Sequence, residues 1–90
     1  MLTVEVWGKS GCKLCAGMKD KLERMKIPYT YGDIEPLMGL HEGWRDGRAV
    51  ELKAKHQIIQ EHLPMVLIDG YPYAYAPALK ELKIRSRQSA

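Results

Sequence analysis

Val4-Glu5-Val6-Trp7-Gly8-Lys9-Ser10-Gly11-Cys12-Lys13-Leu14-Cys15 is the stretch on which the fold turns. Leu2, Val4 and Val6 alternate with Thr3, Glu5 and Trp7. A period of two places apolar side chains on one face of a strand. Gly8-Lys9-Ser10-Gly11 then breaks the strand with flexible residues. Beyond Cys12 the period changes. Leu14, Cys15, Met18, Leu22 and Met25 fall at helical spacing, with Lys13, Lys19, Asp20, Glu23, Arg24 and Lys26 on the wet side. Pro28 sets the expected limit of this helix, because the residue before a proline avoids the helical region. The two cysteines therefore fall at a strand-to-helix junction.

Working outward, Tyr29-Thr30-Tyr31 is a short β-prone run and predicts a second strand. The segment from Asp33 to Gly43 carries Pro36, Gly39 and Gly43 and reads as a loop. Residues 44–61 predict a second helix, with a start that Asp46-Gly47 could move slightly later. Its Ala49, Leu52, His56, Ile59 and Leu63 gather near one face, flanked by Val50, Ala54 and Ile58. Met65-Val66-Leu67-Ile68 is a continuous apolar run, as in a strand buried on both faces. Asp69-Gly70 is a hairpin turn signal, with residues 71–75 as the return strand. Pro77 suits the first turn of a last helix that points Leu79 and Leu82 inward.

The order is β-α-β-α-β-β-α. Alternating strand and helix in the first half demands a parallel pair with a right-handed crossover. The closing hairpin is antiparallel. A four-stranded mixed sheet flanked by three helices satisfies both, an α/β architecture. The 90 residues form one domain, 1–90, with 85–90 expected to fray as a tail.

An apolar share of 46% supports a single core without a metal or a cage of disulfides. Phe is absent, so Trp, Tyr and Met supply the large side chains. The net charge of +3 is dispersed, and the one basic run, residues 80–87, is short. Nucleic-acid binding is not expected without a concentrated basic stripe. No apolar run is long enough to span a membrane. The first seven residues lack the charged and apolar regions of a secretory leader. The expected setting is the reducing cytoplasm, and the expected state a monomer. Two cysteines so spaced in such a protein read as redox-active or metal-binding rather than as a structural staple.

The location of the pair favours redox chemistry. A thiolate is the reactive form of cysteine. A helix N-terminus offers unpaired N–H groups and partial positive charge. Lys9 and Lys13 add cations nearby. Cys12 is thus expected to be exposed and to act as the nucleophile. Cys15, on the same face one turn in, suits the resolving role. Cys12 would attack a substrate disulfide, and Cys15 would then attack Cys12 and release the reduced substrate. Structural zinc is the metal alternative. It would need histidines from His41, His56 and His62, and none of these has the spacing of a standard finger.

These residues resemble the glutaredoxin family, including the branch that is served by thioredoxin reductase and supplies electrons to ribonucleotide reductase. Residues 4–15 look like the family's first strand, its lysine three residues before the nucleophile, and its active-site motif. Leu63-Pro64-Met65-Val66-Leu67-Ile68-Asp69-Gly70 looks like the family's Val-Pro-x-Val-x-(Ile/Val)-x-Gly segment. The resemblance implies a thioredoxin-like fold with a cis Pro64 facing the cysteine pair. It leaves the Leu63 backbone free to pair with an incoming peptide or glutathione, and makes Lys9 a carboxylate contact. It also implies that no cofactor is bound.

Three departures qualify the resemblance. Lys13-Leu14 replaces the Pro-Tyr common in glutaredoxins or the Gly-Pro of thioredoxins. Tyr73-Ala74-Tyr75-Ala76-Pro77 stands where glutathione-binding members carry Gly-Gly and an acidic residue. The loop at 35–43 is longer than the usual connection. Ala74-Tyr75-Ala76-Pro77 loosely resembles the Gly-Phe-x-Pro of the ribonucleotide reductase donor branch and tilts the expected electron source toward a flavoprotein reductase. A shared iron–sulfur cluster held through Cys12 is a further alternative, against which Cys15 counts. Tyr29 and Tyr31 read as sheet packing, His62 as a helix-end cation or site-edge residue, and Trp44 as an anchor of the long loop or a partner surface.

Overall fold

The computed structural model describes residues 2–35 and 47–88, the latter without the side chains of 49, 87 and 88. The loop expected through Gly43 lies outside the described residues from 36 onward, as do His41 and Trp44. Among the described residues seven elements follow in order: β1 (Val4–Gly8), α1 (Lys13–Arg24), β2 (Thr30–Asp33), α2 (Gly47–Ile58), β3 (Met65–Ile68), β4 (Tyr71–Tyr73) and α3 (Tyr75–Gln88). The strands form one mixed sheet in the order β2-β1-β3-β4. β1 pairs parallel with β2 and antiparallel with β3, and β3 pairs antiparallel with β4.

The all-apolar β3 run is explained by its two covered faces. Val66 and Ile68 join Val4, Val6, Met18, Leu22, Ala78 and Leu82 on the face covered by α1 and α3. Met65 and Leu67 pack with Ile34 and Leu52 on the other face, where α2 lies, with Trp7, Ile59 and Leu63 at its margin. The Asp69-Gly70 turn has φ of 50° and 83°. Two left-handed residues in succession give the turn whose twist matches a two-residue hairpin. Among the described residues no helix is long and apolar enough to cross a membrane.

Both α1 and α2 end in the same device. Lys26 has φ of 59°, its N–H bonds Glu23 O at 3.1 Å, and Ile27 N–H bonds Leu22 O at 3.0 Å. Gln60 repeats the pattern with φ of 59°, bonding Gln57 O at 3.0 Å while Glu61 N–H bonds His56 O at 2.8 Å. These are Schellman closures, which satisfy carbonyls left open at a helix end. They stop α1 before Pro28 could act, and they stop α2 at Ile58 rather than 61. The described part of α2 begins at Gly47. β2 is displaced from 29–31 to Thr30–Asp33, and β4 is shorter than 71–75 because the chain enters α3 at Tyr75.

α3 is helical through Gln88. The anchor is Arg85, whose guanidinium pairs with both Glu81 and Asp69. Asp69 in turn accepts Thr3 N–H at 2.9 Å, and its own N–H donates to Thr3 O at 2.8 Å. This clasp joins the N-terminal strand, the hairpin turn and the last helix.

Three outcomes are expected from these contacts. A Cβ at Gly32 would lie 2.5 to 2.8 Å from ring carbons of Trp7. Gly32→Ala should therefore lower stability by about 1–3 kcal/mol in urea denaturation, the usual cost of overpacking. Lys26→Gly should raise stability by about 0.5–1 kcal/mol in the same measurement, since glycine removes the left-handed penalty of a side chain. The Thr3 N–H, and after it Arg85, hold the Asp69 carboxyl below its ordinary range. A carboxylate favoured by folding stabilises above its unfolded pKa of about 4, and that stability is lost as pH falls through the folded value. Asp69→Asn should thus be less stable than the parent near neutrality, and the difference should close on acidification; a constant difference would contradict the linkage.

Candidate active site

Gly11, with φ of 80°, turns the chain out of β1 and into α1. Cys12 follows as the helix N-cap in extended conformation (φ −84°, ψ 110°), and its sulfur accepts the Cys15 N–H at 3.1 Å. The position normally filled by a serine or aspartate oxygen is thus held by the sulfur of Cys12. No acidic residue lies in the first turn, so nothing there opposes the positive end of the helix dipole. Cys12 is half-buried rather than fully exposed, while Cys15 is only 1% exposed. The two are joined as a disulfide with Cα atoms 5.2 Å apart.

Gly8 makes this arrangement possible. A Cβ there would stand 2.5 Å from Cys15 Sγ and 2.9 Å from both Cys15 Cβ and Tyr31 Oη. The strand end passes so close beneath the helix that only glycine leaves room. The cysteines open onto a cleft of about 360 Å³, lined also by Lys9, Lys19, Tyr31 and Asp33. Lys19 Nζ lies 4.2 Å from the Tyr31 ring centroid, a cation–π contact. Asp33 Oδ1 accepts Glu35 N–H at 2.9 Å.

Of the residues singled out from sequence, Cys12, Cys15 and Lys9 come together on this cleft. Leu63 and Pro64 do not line it. The Leu63–Pro64 bond is cis, the geometry that the resemblance implied. Continuing the antiparallel register one step past Trp7↔Met65 sets Pro64 level with Gly8. Pro64 is buried and Leu63 half-buried. The segment is fastened from behind: His56, 3% exposed, donates from Nε2 to His62 O at 3.0 Å. His56 is therefore engaged in the core, and the His62 side chain is exposed. Among the described residues no three His, Cys, Asp or Glu side chains gather as a metal site.

Sequence reasoning missed Tyr31 and Lys19 as cleft residues. Tyr31 read as sheet packing, yet it is 41% exposed and faces the cysteines. Lys19 read as a solvated helix position. The register of β2 against β1, Val6 beside Tyr31, is what brings them to the site.

No family model matches this chain, and no curated protein does. Solved structures do. The thioredoxin-like protein BC3987 superposes with a TM-score of 0.58 at 20% identity, covering 90% of this chain and 96% of its own. A point mutant of that protein gives 0.57 at 20% identity, over 90% and 95%. Glutaredoxin 1 from Francisella tularensis, solved with cacodylate, gives 0.55 at 16% identity over 94% and 95%. Nearly full coverage in both directions makes this chain one of thioredoxin-like fold, with a cysteine pair at the head of its first helix.

Proposed function

We propose that this protein is a thiol-disulfide oxidoreductase that reduces protein disulfides by a dithiol mechanism. One observation carries the reading: Cys12 caps a helix N-terminus beside an open cleft, whereas Cys15 is buried one turn behind it. The helix end stabilises negative charge on the Cys12 sulfur. That sulfur attacks a substrate disulfide, forming a mixed disulfide and releasing one substrate thiolate. Cys15 then attacks Cys12, the intramolecular disulfide closes, and the second substrate sulfur leaves. The closed pair in the structure corresponds to the end of this cycle.

Lys9 serves as the contact for a substrate carboxylate. The Leu63 backbone beside the cis Pro64 serves as the strand-like docking edge for the peptide. The substrate class is a disulfide-bearing protein in the cytoplasm, of which ribonucleotide reductase is one, met by a monomer without bound cofactor. Tyr73-Ala74-Tyr75 in place of the small and acidic residues that hold glutathione's amino end favours thioredoxin reductase over glutathione as the electron source.

The test is insulin disulfide reduction run twice, once with NADPH and thioredoxin reductase and once with glutathione and its reductase. Activity is expected chiefly in the first arm. Cys12→Ser should abolish it, and Cys15→Ser should accumulate a mixed disulfide visible by mass spectrometry. Activity in neither arm, or activity surviving Cys12→Ser, would refute the proposal.

A further inference from the structure

The dithiol cycle needs Cys15 as a thiolate, and its surroundings oppose that. The residue is 1% exposed, and burial disfavours a charged sulfur. The helix dipole and the capping geometry act on Cys12, and the Cys15 amide is already donated to the Cys12 sulfur. Something else must stabilise negative charge on the inner sulfur.

The space above Gly8 contains one candidate. The point where a Cβ would sit is 2.5 Å from Cys15 Sγ and 2.9 Å from Tyr31 Oη. The sulfur and the phenol oxygen are therefore separated by no more than the sum of those two distances. They share one notch, and it exists because residue 8 has no side chain. Tyr31 is delivered there by β2, whose parallel pairing sets it beside Val6. Its ring is steadied from outside by the Lys19 ammonium at 4.2 Å. The other ionisable groups on the cleft are Cys12, Lys9, Lys19 and Asp33. Asp33 is turned to the Glu35 amide, and β3, across β1, presents Met65 and Val66, which do not ionise.

We propose that the Tyr31 hydroxyl donates a hydrogen bond to the Cys15 thiolate and so drives the resolving step. The proposal rests on the dithiol reading above. Cys15 gives up its proton to solvent, and its sulfur attacks the Cys12 sulfur. The Cys12–Cys15 bond forms as the bond from Cys12 to the substrate sulfur breaks. The departing thiolate takes a proton from solvent, and the electron pair of the two protein thiols ends on the two substrate sulfurs. Tyr31 keeps its own proton throughout. It acts on charge, and only while Cys15 is reduced.

Tyr31→Phe removes the oxygen and keeps the ring beneath Lys19. In a Cys12→Ser background Cys15 is the lone thiol, and its alkylation rate against pH reads its ionisation without any catalytic turnover. Adding Tyr31→Phe should slow alkylation about tenfold at neutral pH and displace the profile by about one pH unit upward, the worth of one hydrogen bond to a charged acceptor. In the Cys15→Ser background the same change should slow the first attack on substrate far less than it slows alkylation of Cys15. An unchanged alkylation profile would overturn the proposal, as would a loss of thermal stability with no displacement in pH. Failure of the dithiol reading shows elsewhere, as activity that survives Cys12→Ser.

Discussion

The end of β1 and the first turn of α1 occupy the same few ångströms, and much else depends on that contact. Gly8 is a strand residue without a positive φ, so its backbone asks nothing unusual of the side chain. What excludes any larger residue is the Cys15 sulfur and the Tyr31 oxygen already standing where a Cβ would go. Protein interiors are packed closely enough that such a conflict cannot be absorbed by slack. The helix must therefore lie low over the strand, which buries Cys15 and leaves Cys12 at the rim. The asymmetry between the two cysteines thus follows from one missing methyl group.

A second consequence concerns the cap. Neutral sulfur is a weak hydrogen-bond acceptor, and Ser, Thr, Asp and Asn hold N-caps better. A thiolate is a different acceptor, because it carries charge toward the dipole. Whatever the helix end contributes to stabilising that thiolate, the thiolate returns to the helix, since the coupling is mutual. The cap of α1 is consequently strongest when the pair is reduced and Cys12 ionised. Lys13 in the first turn adds no competing negative charge. The remainder of the fold carries the helix in the other states, through Met18 and Leu22 in the shared core.

The features legible in the sequence were those written in local pattern. The alternation before Gly8, the Asp69-Gly70 turn and the apolar run of β3 each reflect a rule acting over a few residues, and together they set the sheet. The helix ends were less legible, because Lys26 and Gln60 adopt the left-handed conformation that glycine usually marks. The Schellman hydrogen bonds and the packing of Ile27 and Ile59 against the two cores override that preference. Arg85 reads as one more basic tail residue until the fold places Asp69 against it. Tyr31 shows the limit most clearly. Alternation assigns it a side of the sheet, but which end of α1 lies over that side depends on parallel register, a long-range property.

The cis Leu63–Pro64 bond and His56 belong together in this respect. The left-handed pair Gln60 and Glu61 closes α2, and the His56 ring then reaches forward to the carbonyl of His62. Two backbone groups of one histidine-centred turn are thereby occupied, His56 O by Glu61 and His62 O by the ring. The chain reaches Leu63 with its direction already fixed from the core side. A docking edge for an extended peptide works through backbone groups held still before the peptide arrives, since ordering them afterwards would cost binding free energy. Rigidity behind the proline and openness in front of Cys12 are thus complementary. The same sheet that lets Tyr31 approach the inner sulfur also presents Leu63 on the far side of Gly8, so that glycine lies between the chemistry and the surface proposed to receive the substrate.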